Sequence, residues 1–323
     1  MGAWKGVKRL VRRAGAALVS DRASLSVFLF HTLFENEAEI AAGLVAPHHG
    51  LTVEHFRRFV GHYRSRGYAF VTPDDLLAGL SPEGRHVMIT FDDGYANNAR
   101  ALPVMEEFQV PAVFFVSTGH VREGKAFFWD VVHRERRRRG ASEKEVRAEI
   151  ASLKRLDPGR IEQHLLEAFG AAALEPRGDL DRPFEPDELR SFSAHPLVHP
   201  ANHTRDHAIL VNLDAAAVEA QVRGAQEDLE ELCGPTAPAI AYPNGDHSPL
   251  VVETLRRAGM KLGFTVERGK IYPPFGGAAL DRMRIGRFSL WGGEDIDSQC
   301  ARLRSDFSWR GMTAPRSGKD RKR

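Results

Sequence analysis

Short runs of continuously apolar residues punctuate the chain, and most are followed by a stretch of helical periodicity. Leu25 to Phe30 (LSVFLF) reads as a buried strand that runs straight into His31. After a polar loop with Pro47 and Gly50, Thr52 is placed to cap a helix. Its apolar side carries Val53, Phe56, Phe59, Val60 and Tyr63, and it ends near Gly67. Tyr68 to Thr72 predicts a second strand, Asp74 to Leu80 a helix, and Val87 to Phe91 the next strand. Residues 97–108 predict a further helix, and Ala112 to Ser117 (AVFFVS) another buried strand. Later strands are expected at Leu197 to Asn202, Ala237 to Tyr242, Lys261 to Val266 and Met283 to Phe288. Helices over Ala215 to Leu232 and Leu250 to Ala258 lie among them.

Strands that are apolar throughout, rather than on alternate positions, belong to a parallel sheet covered by helices. With about eight of them, the expected fold is a distorted (β/α) barrel, and an open doubly wound sheet is the second choice. The alternation breaks between Trp129 and about Leu189. There Ser142 and Glu145 form a capping-box pattern ahead of Val146, Ile150 and Leu153. Asp157-Pro158 opens another helix bearing Ile161, Leu165 and Phe169. This predicts a helical insertion on the barrel rim, spanning roughly residues 129–189. Its five arginines between Arg134 and Arg139 read as a solvated helix face, with an anion or partner site as the alternative.

Charge divides the chain further. Residues 1–13 carry Lys5, Lys8, Arg9, Arg12 and Arg13 and no acid, while residues 310–323 carry six cations against Asp320. Each end is therefore +5 within a total of +2, which leaves the body at −8 and disfavours nucleic acid as its partner. We accordingly expect a basic amphipathic segment over 1–22, a barrel domain over 23–309, and a basic tail over 310–323. Trp4, Val7, Val11 and Ala14 fall on one helical face opposite the cations, the pattern of a membrane-surface helix. A solvated terminus is the plainer alternative. The apolar stretch Ala14 to Val19 is short and is interrupted by Asp21 and Arg22, so it does not read as a signal peptide. Two cysteines, Cys233 and Cys300, make no disulfide framework and fit a reducing compartment. The expected location is cytoplasmic, with peripheral contact at the inner membrane face.

The chemistry concentrates at three strand ends. Asp92, Asp93 and Gly94 close the strand HVMITF, and two adjacent buried carboxylates are costly unless a cation neutralises one of them. His203-Thr204-Arg205-Asp206-His207 directly follows another strand, and histidines at i and i+4 on a helical turn are spaced to share one metal ion. That signal is weak alone, because fourteen histidines make chance pairs at this spacing expected. Both groups should emerge at the C-terminal mouth of a barrel, where two imidazoles and a carboxylate leave room for water. Tyr242-Pro243-Asn244-Gly245 follows a third strand. It is either an ordinary turn or a backbone N–H donor for a developing oxyanion.

TFDDGY, then HTRDH, then AYPNG resembles, in this order, the polysaccharide deacetylase family of NodB-homology, chitin-deacetylase-like hydrolases. The likeness runs over roughly residues 25–290 outside the insertion. It implies the family's distorted (β/α) barrel and hydrolysis of an N-acetyl group on an amino sugar. It implies Asp92 as general base, and Asp93, His203 and His207 as ligands of a divalent metal, usually Zn2+. It implies Thr204 as brace of the histidine loop and Asn244, after Pro243 and Tyr242, at the oxyanion. Two positions depart from the family pattern. An arginine that many members place at Ala241 to pair with the catalytic aspartate is missing, so Arg284 is the expected substitute, ahead of Arg287. The late L-x-H histidine is also missing, and His31 is the expected general acid, or else a polar strand-end residue. Trp291 and Phe275 are candidates for stacking on sugar or for packing.

The expected partner is an acetylated amino-sugar glycan or a lipid-linked precursor, with the oligomeric state left open. O-acetyl ester or non-sugar amide hydrolysis on the same metal site is the alternative. A catalytically inactive glycan-binding homologue is the third reading.

Overall fold

The computed structural model describes residues 21–46, 48–276 and 280–305. Residues 1–20 of the amphipathic segment predicted over 1–22, the tail over 310–323 and Pro47 lie outside the described residues.

Among the described residues ten strands appear in order: β1 (Ser24–Phe30), β2 (Leu33–Phe34), β3 (Leu51–Thr52), β4 (Ala69–Phe70), β5 (Arg85–Phe91), β6 (Ala112–Val116), β7 (Val198–Asn202), β8 (Ala239–Ala241), β9 (Leu262–Phe264) and β10 (Phe288–Ser289). Seven of them follow the order β10-β1-β5-β6-β7-β8-β9 in one sheet, with β4 as an eighth strand on β5. All pairs in this sheet are parallel. The sheet curls until its ends approach. Ile285 bridges to Phe264 of β9, and Phe288 pairs with Phe28 of β1, so residues 285–289 span the seam. The expected distorted (β/α) barrel is the fold found. The predicted strand over Met283 to Phe288 is cut to the bridge at Ile285 and the two residues of β10.

Side-chain parity along the strands divides the core in two. Met88, Val113, Phe115, Ala241, Leu262 and Ile285 fill the inside of the barrel. Phe28, Phe30, Ile89, Phe91 and Phe114 face outward under the helices. The helix Val53–Arg64 lays Phe56, Phe59 and Tyr63 on that outer layer, and the Phe28 and Phe59 rings meet edge to face at 4.7 Å. Thr52 caps this helix by accepting from the backbone N–H of His55, while His55 Nδ1 accepts from the backbone N–H of Thr52. Strands alternate their side chains, so Thr90 and Asp92 share the inward side of β5 with Met88. This parity carries a carboxylate to the top of an otherwise apolar barrel interior.

Of the five helices between β6 and β7, three form the insertion: Phe128–Arg138, Glu143–Leu153 and Pro158–Phe169. They share a core of Phe127, Trp129, Val132, Val146, Leu153 and Leu165. The arginine run was expected to be a solvated face, but Arg136 and Arg139 tie the helices to one another and Arg134 holds the loop beyond them, while Arg138 pairs within its own helix and stays exposed. Arg136 meets Glu149 at 2.6 Å, Arg138 meets Glu135 at 2.9 Å, and Arg134 is ion-paired with Asp181. Arg139 lies over the Phe169 ring at 5.0 Å. Acids from later in the insertion compete successfully with water because the helices pack side by side.

Candidate metal centre

Parallel strands bring their C-terminal ends to one rim, and β1, β5, β6 and β7 are adjacent there. Backbone bonds carry that order into the loops. Asp92 donates its N–H to Phe30 O (3.0 Å), Ser117 to Asp93 O (3.1 Å) and His203 to Val116 O (3.1 Å). The acids and the first histidine are therefore fixed by extensions of the sheet rather than by free loops.

The ligand-capable atoms of Asp93, His203 and His207 lie within 4.8 Å of one another. Asp93 Oδ1 is 3.4 Å from His203 Nε2 and 3.3 Å from His207 Nε2. His203 Nδ1 lies 2.9 Å from the carbonyl of Ala241, which can only accept, so Nδ1 carries the proton. Nε2 of a neutral His203 is then a lone pair aimed at a carboxylate. Two acceptors then face each other, a repulsion relieved by a proton on Nε2 or by a bound cation between them. Asp93 Oδ2 and His207 Nδ1 are buried without a hydrogen-bond partner. Burial works against charge on Asp93, but the two imidazoles outweigh it and hold this carboxyl well below its usual range. His203 is raised, since the Asp92 and Asp93 carboxylates overcome its burial. Burial lowers His207 to about 4, with the neighbouring His203 charge adding to the effect. The pocket thus favours a single added positive charge. The donor set and the orphaned oxygen fit one divalent ion.

His203 and His207 were expected on one face of a helical turn, and that geometry is corrected. Thr204 has φ +63° and His207 φ +49°, so the segment is a loop and not a helix. Thr204 accepts from Ala208 N–H through its Oγ1 at 2.9 Å and donates its own N–H to Asn202 Oδ1 at 2.9 Å. Asn202 is in turn held by Val222 O. Asp93 itself has φ +78° and is followed by Gly94 at φ +88°. A Cβ on Gly94 would stand 2.9 Å from Val116 Cγ1, so the turn requires glycine. Among the described residues six non-glycine residues have positive φ, and five of them cluster here: His48, Asp93, Thr204, His207 and Asn244. Strained conformations of this kind persist only where the surrounding structure over-determines them.

Asp92 stands beside this group, its Oδ2 3.9 Å from His203 Nε2. The expectation that Arg284 would pair with Asp92 is corrected. Arg284 is half exposed and faces Asp281 at 3.6 Å. Arg287 takes the place, fully buried, with Nη1 2.6 Å from Asp92 Oδ1 and Nη2 2.8 Å from Oδ2. Its Nε donates to Thr265 O (2.9 Å) and Nη1 also to Thr90 Oγ1 (3.2 Å). Burial would raise Asp92, but the Arg287 guanidinium overrides it and the net shift is downward. Parity was the overlooked signal, since Ile285 and Arg287 share the inward side whereas Arg284 points out.

The third motif divides. Tyr242 is buried and donates its hydroxyl to Met283 O at 2.8 Å, so its ring supports the turn from within and is not offered to the rim. Pro243 is buried beneath Asn244, which has φ +61°. The Asn244 side chain is occupied at both ends, by Lys154 Nζ at 2.7 Å and Asp246 Oδ2 at 2.6 Å.

His31 ends β1 and stacks on His48, with centroids 4.9 Å apart and planes 2° from parallel. His49 lies 5.5 Å away and Trp291, which is half exposed, packs edge-on against His49 at 4.6 Å. Burial lowers His31 to about 3, against the pull of Asp93 and Asp92. Phe275 is buried against His86 and is packing. Trp129 meets the His207 ring at 4.6 Å, donates Nε1–H to Tyr95 Oη (2.8 Å), and Tyr95 donates to Asp130 (2.6 Å). Burial lifts Asp130 to about 7. Tyr95 closes the TFDDGY motif but was given no role, and none of His48, His49 or Trp129 belongs to a motif visible in the sequence, although the adjacent histidines His48-His49 in a polar loop were a usable hint.

The sequence profile of the polysaccharide deacetylase family matches residues 80–263. No curated protein sequence matches the chain. Among solved structures, IcaB from Ammonifex degensii is similar at 20% identity with a TM-score of 0.60, over 88% of this chain and 98% of that one. The Streptococcus pyogenes deacetylase PplD, solved with acetate, is similar at 15% identity and a TM-score of 0.57, over 86% and 97%. A polysaccharide deacetylase from Bacillus cereus matches at 14% identity and a TM-score of 0.60, over 87% and 69%. These likenesses show the same curled barrel. With the profile spanning more than half of the residues, the chain belongs to the polysaccharide deacetylase family.

Proposed function

We propose that this protein is a metal-dependent hydrolase that removes N-acetyl groups from an amino-sugar-containing glycan or lipid-linked glycan precursor. The observation that carries the reading is the convergence of Asp93, His203 and His207 beside an Asp92 that Arg287 keeps ionised. A divalent ion held by those three residues, Zn2+ in our reading, supplies Lewis-acid polarisation of an acyl oxygen and acidifies water. Asp92 is the proton acceptor, because it is ionised and lies 3.9 Å from a ligand atom without belonging to the ligand set. Thr204 braces the histidine loop, and the backbone at Asn244 is the candidate donor to the oxyanion. Trp291, exposed beside His49, is the candidate platform for a sugar ring.

Acetate release from N-acetylglucosamine oligomers tests the reading. Asp92→Asn should lose at least about 100-fold in kcat while keeping its metal. Unimpaired turnover in that variant would overturn the assignment.

A second reading, ester hydrolysis at the same centre, is favoured by His31. Held at about 3 by burial, this imidazole is neutral and a poor proton donor, and an alkoxide leaves with less proton assistance than an amine. Matched O-acetyl and N-acetyl substrates separate the two. We further assign the reaction to the cytoplasmic membrane face, on the basic amphipathic pattern of residues 1–13. Deleting residues 1–20 should then release the protein from anionic vesicles. No helix among the described residues is long and apolar enough to cross a membrane.

A further inference from the structure

The inserted helices reach the metal centre through Lys154. It ends the helix Glu143–Leu153, donating its N–H to Ile150 O at 3.0 Å. Its position relative to the barrel is fixed from a second side, since Asn212 donates Nδ2 to the carbonyls of Lys154 (3.0 Å) and Leu156 (3.2 Å). The side chain then crosses to the rim, where Nζ donates to Asn244 Oδ1 at 2.7 Å. An ammonium has three donors, so this bond leaves two. The ionic groups it lies near enough to feel are Asp93 and Asp246, and His48 feels it in turn. Among the described residues, however, no carboxylate stands within ion-pair distance of it. Asp246 is turned toward Asn244 Nδ2 instead. Burial lowers the Lys154 ammonium despite those acids.

The Lys154 ammonium, partly exposed at the rim with spare donors and no ion-pair partner, is available to an anion that enters there. Asp93 is committed to the two histidines, so it does not serve. We propose that Lys154 binds an anionic group of the substrate, a carboxylate or a phosphate close to the acetylated amine, and makes this protein selective for acidic over neutral saccharides. This inference rests on the proposed deacetylase reading. The Lys154–Asn244 bond also places the anion pocket directly beside the turn assigned to the oxyanion, so charge recognition and acyl positioning share one support.

The test uses the metal-loaded full chain and three N-acetylglucosamine oligomers of equal length: one neutral, one with an adjoining uronate, one with an adjoining phosphodiester. The wild type should favour at least one acidic oligomer over the neutral one by about ten- to hundredfold in kcat/KM, chiefly through KM. Whichever acidic oligomer is favoured identifies the source of the charge. Lys154→Met should bring that ratio close to one, and Lys154→Arg should restore most of it. A wild-type enzyme that prefers the neutral oligomer, or a preference that survives in Lys154→Met, overturns the inference while leaving the deacetylase reading intact. Acetate released from none of the three overturns both.

Discussion

Removing the Arg287 guanidinium should damage the protein more than any other single change at the rim. Arg287→Met leaves the Asp92 carboxylate buried with both of its ion-pair contacts, at 2.6 and 2.8 Å, gone. Thr265 O and Thr90 Oγ1 also lose a donor. Breaking a buried pair from one side costs about 3–5 kcal/mol, and at about 2 °C per kcal/mol this is a fall in Tm of roughly 6–10 °C. The pH dependence carries the sharper signature. With Arg287 present, the Asp92 carboxyl sits below its ordinary value, so the pair contributes stability at neutral pH that is lost only as pH falls through that lowered pKa. Without Arg287, burial is opposed only by the charges of His203 and His31, and the pKa should rise above the ordinary value. The variant then loses stability as pH rises through the new pKa, and the gap to the wild type widens between pH 4 and pH 8. The acidic side of the kcat/KM profile should move upward with it. Thermal melts across this range, on the wild type, Arg287→Met, Arg284→Met and the double variant Asp92→Asn/Arg287→Met, decide the matter. The double variant should recover stability over Arg287→Met, because no unpaired charge remains, and Arg284→Met should stay within about 0.5 kcal/mol of the wild type. A pH-independent gap, no recovery in the double variant, or an equal loss in Arg284→Met would refute the reasoning.

Three further outcomes follow from the same geometry. Gly94→Ala forces a Cβ to 2.9 Å from Val116 Cγ1 at φ +88°, and should cost about 1–3 kcal/mol in denaturant titration while also lowering metal affinity. A fully stable, metal-replete variant would contradict the account of that turn. Trp129→Leu withdraws the ring that packs on His207 and should weaken metal binding by about tenfold in a competing-chelator titration, with the stoichiometry retained. Asp130 is lifted to about 7 by burial, above its ordinary carboxyl value, so the folded state holds its proton longer than the unfolded chain. Its contribution is full at about pH 4, declines as pH rises toward 7 and is level above, so Asp130→Asn should flatten that decline. Parallel stability curves for the two proteins would show the shift to be absent.

Much of the barrel was legible because its strands are apolar runs long enough to be unmistakable, and Asp92-Asp93 interrupts one of them with an energetic cost that demanded an explanation. The sequence could not fix the direction of side chains where a strand is reduced to a bridge. Around Ile285 two arginines competed for one carboxylate, and only inward parity with Ile285 selects Arg287. Helical spacing misled at His203 and His207, since the pair meets through two left-handed residues that no local propensity announces. Tyr242 looked like part of a binding turn, yet the backbone at Met283 offered its hydroxyl a buried acceptor. Lys154 and Trp129 were invisible for a different reason. They reach the site only because the three inserted helices fold back against the rim, a tertiary fact with no local pattern.

Metal stoichiometry measured by elemental analysis, on protein purified without chelator, tests the central claim most directly. The wild type should hold one divalent ion per chain, and Asp93→Ala and His203→Ala should each hold none while still melting cooperatively. A metal-free wild type in excess zinc, or an unchanged ion content in both folded variants, would contradict it.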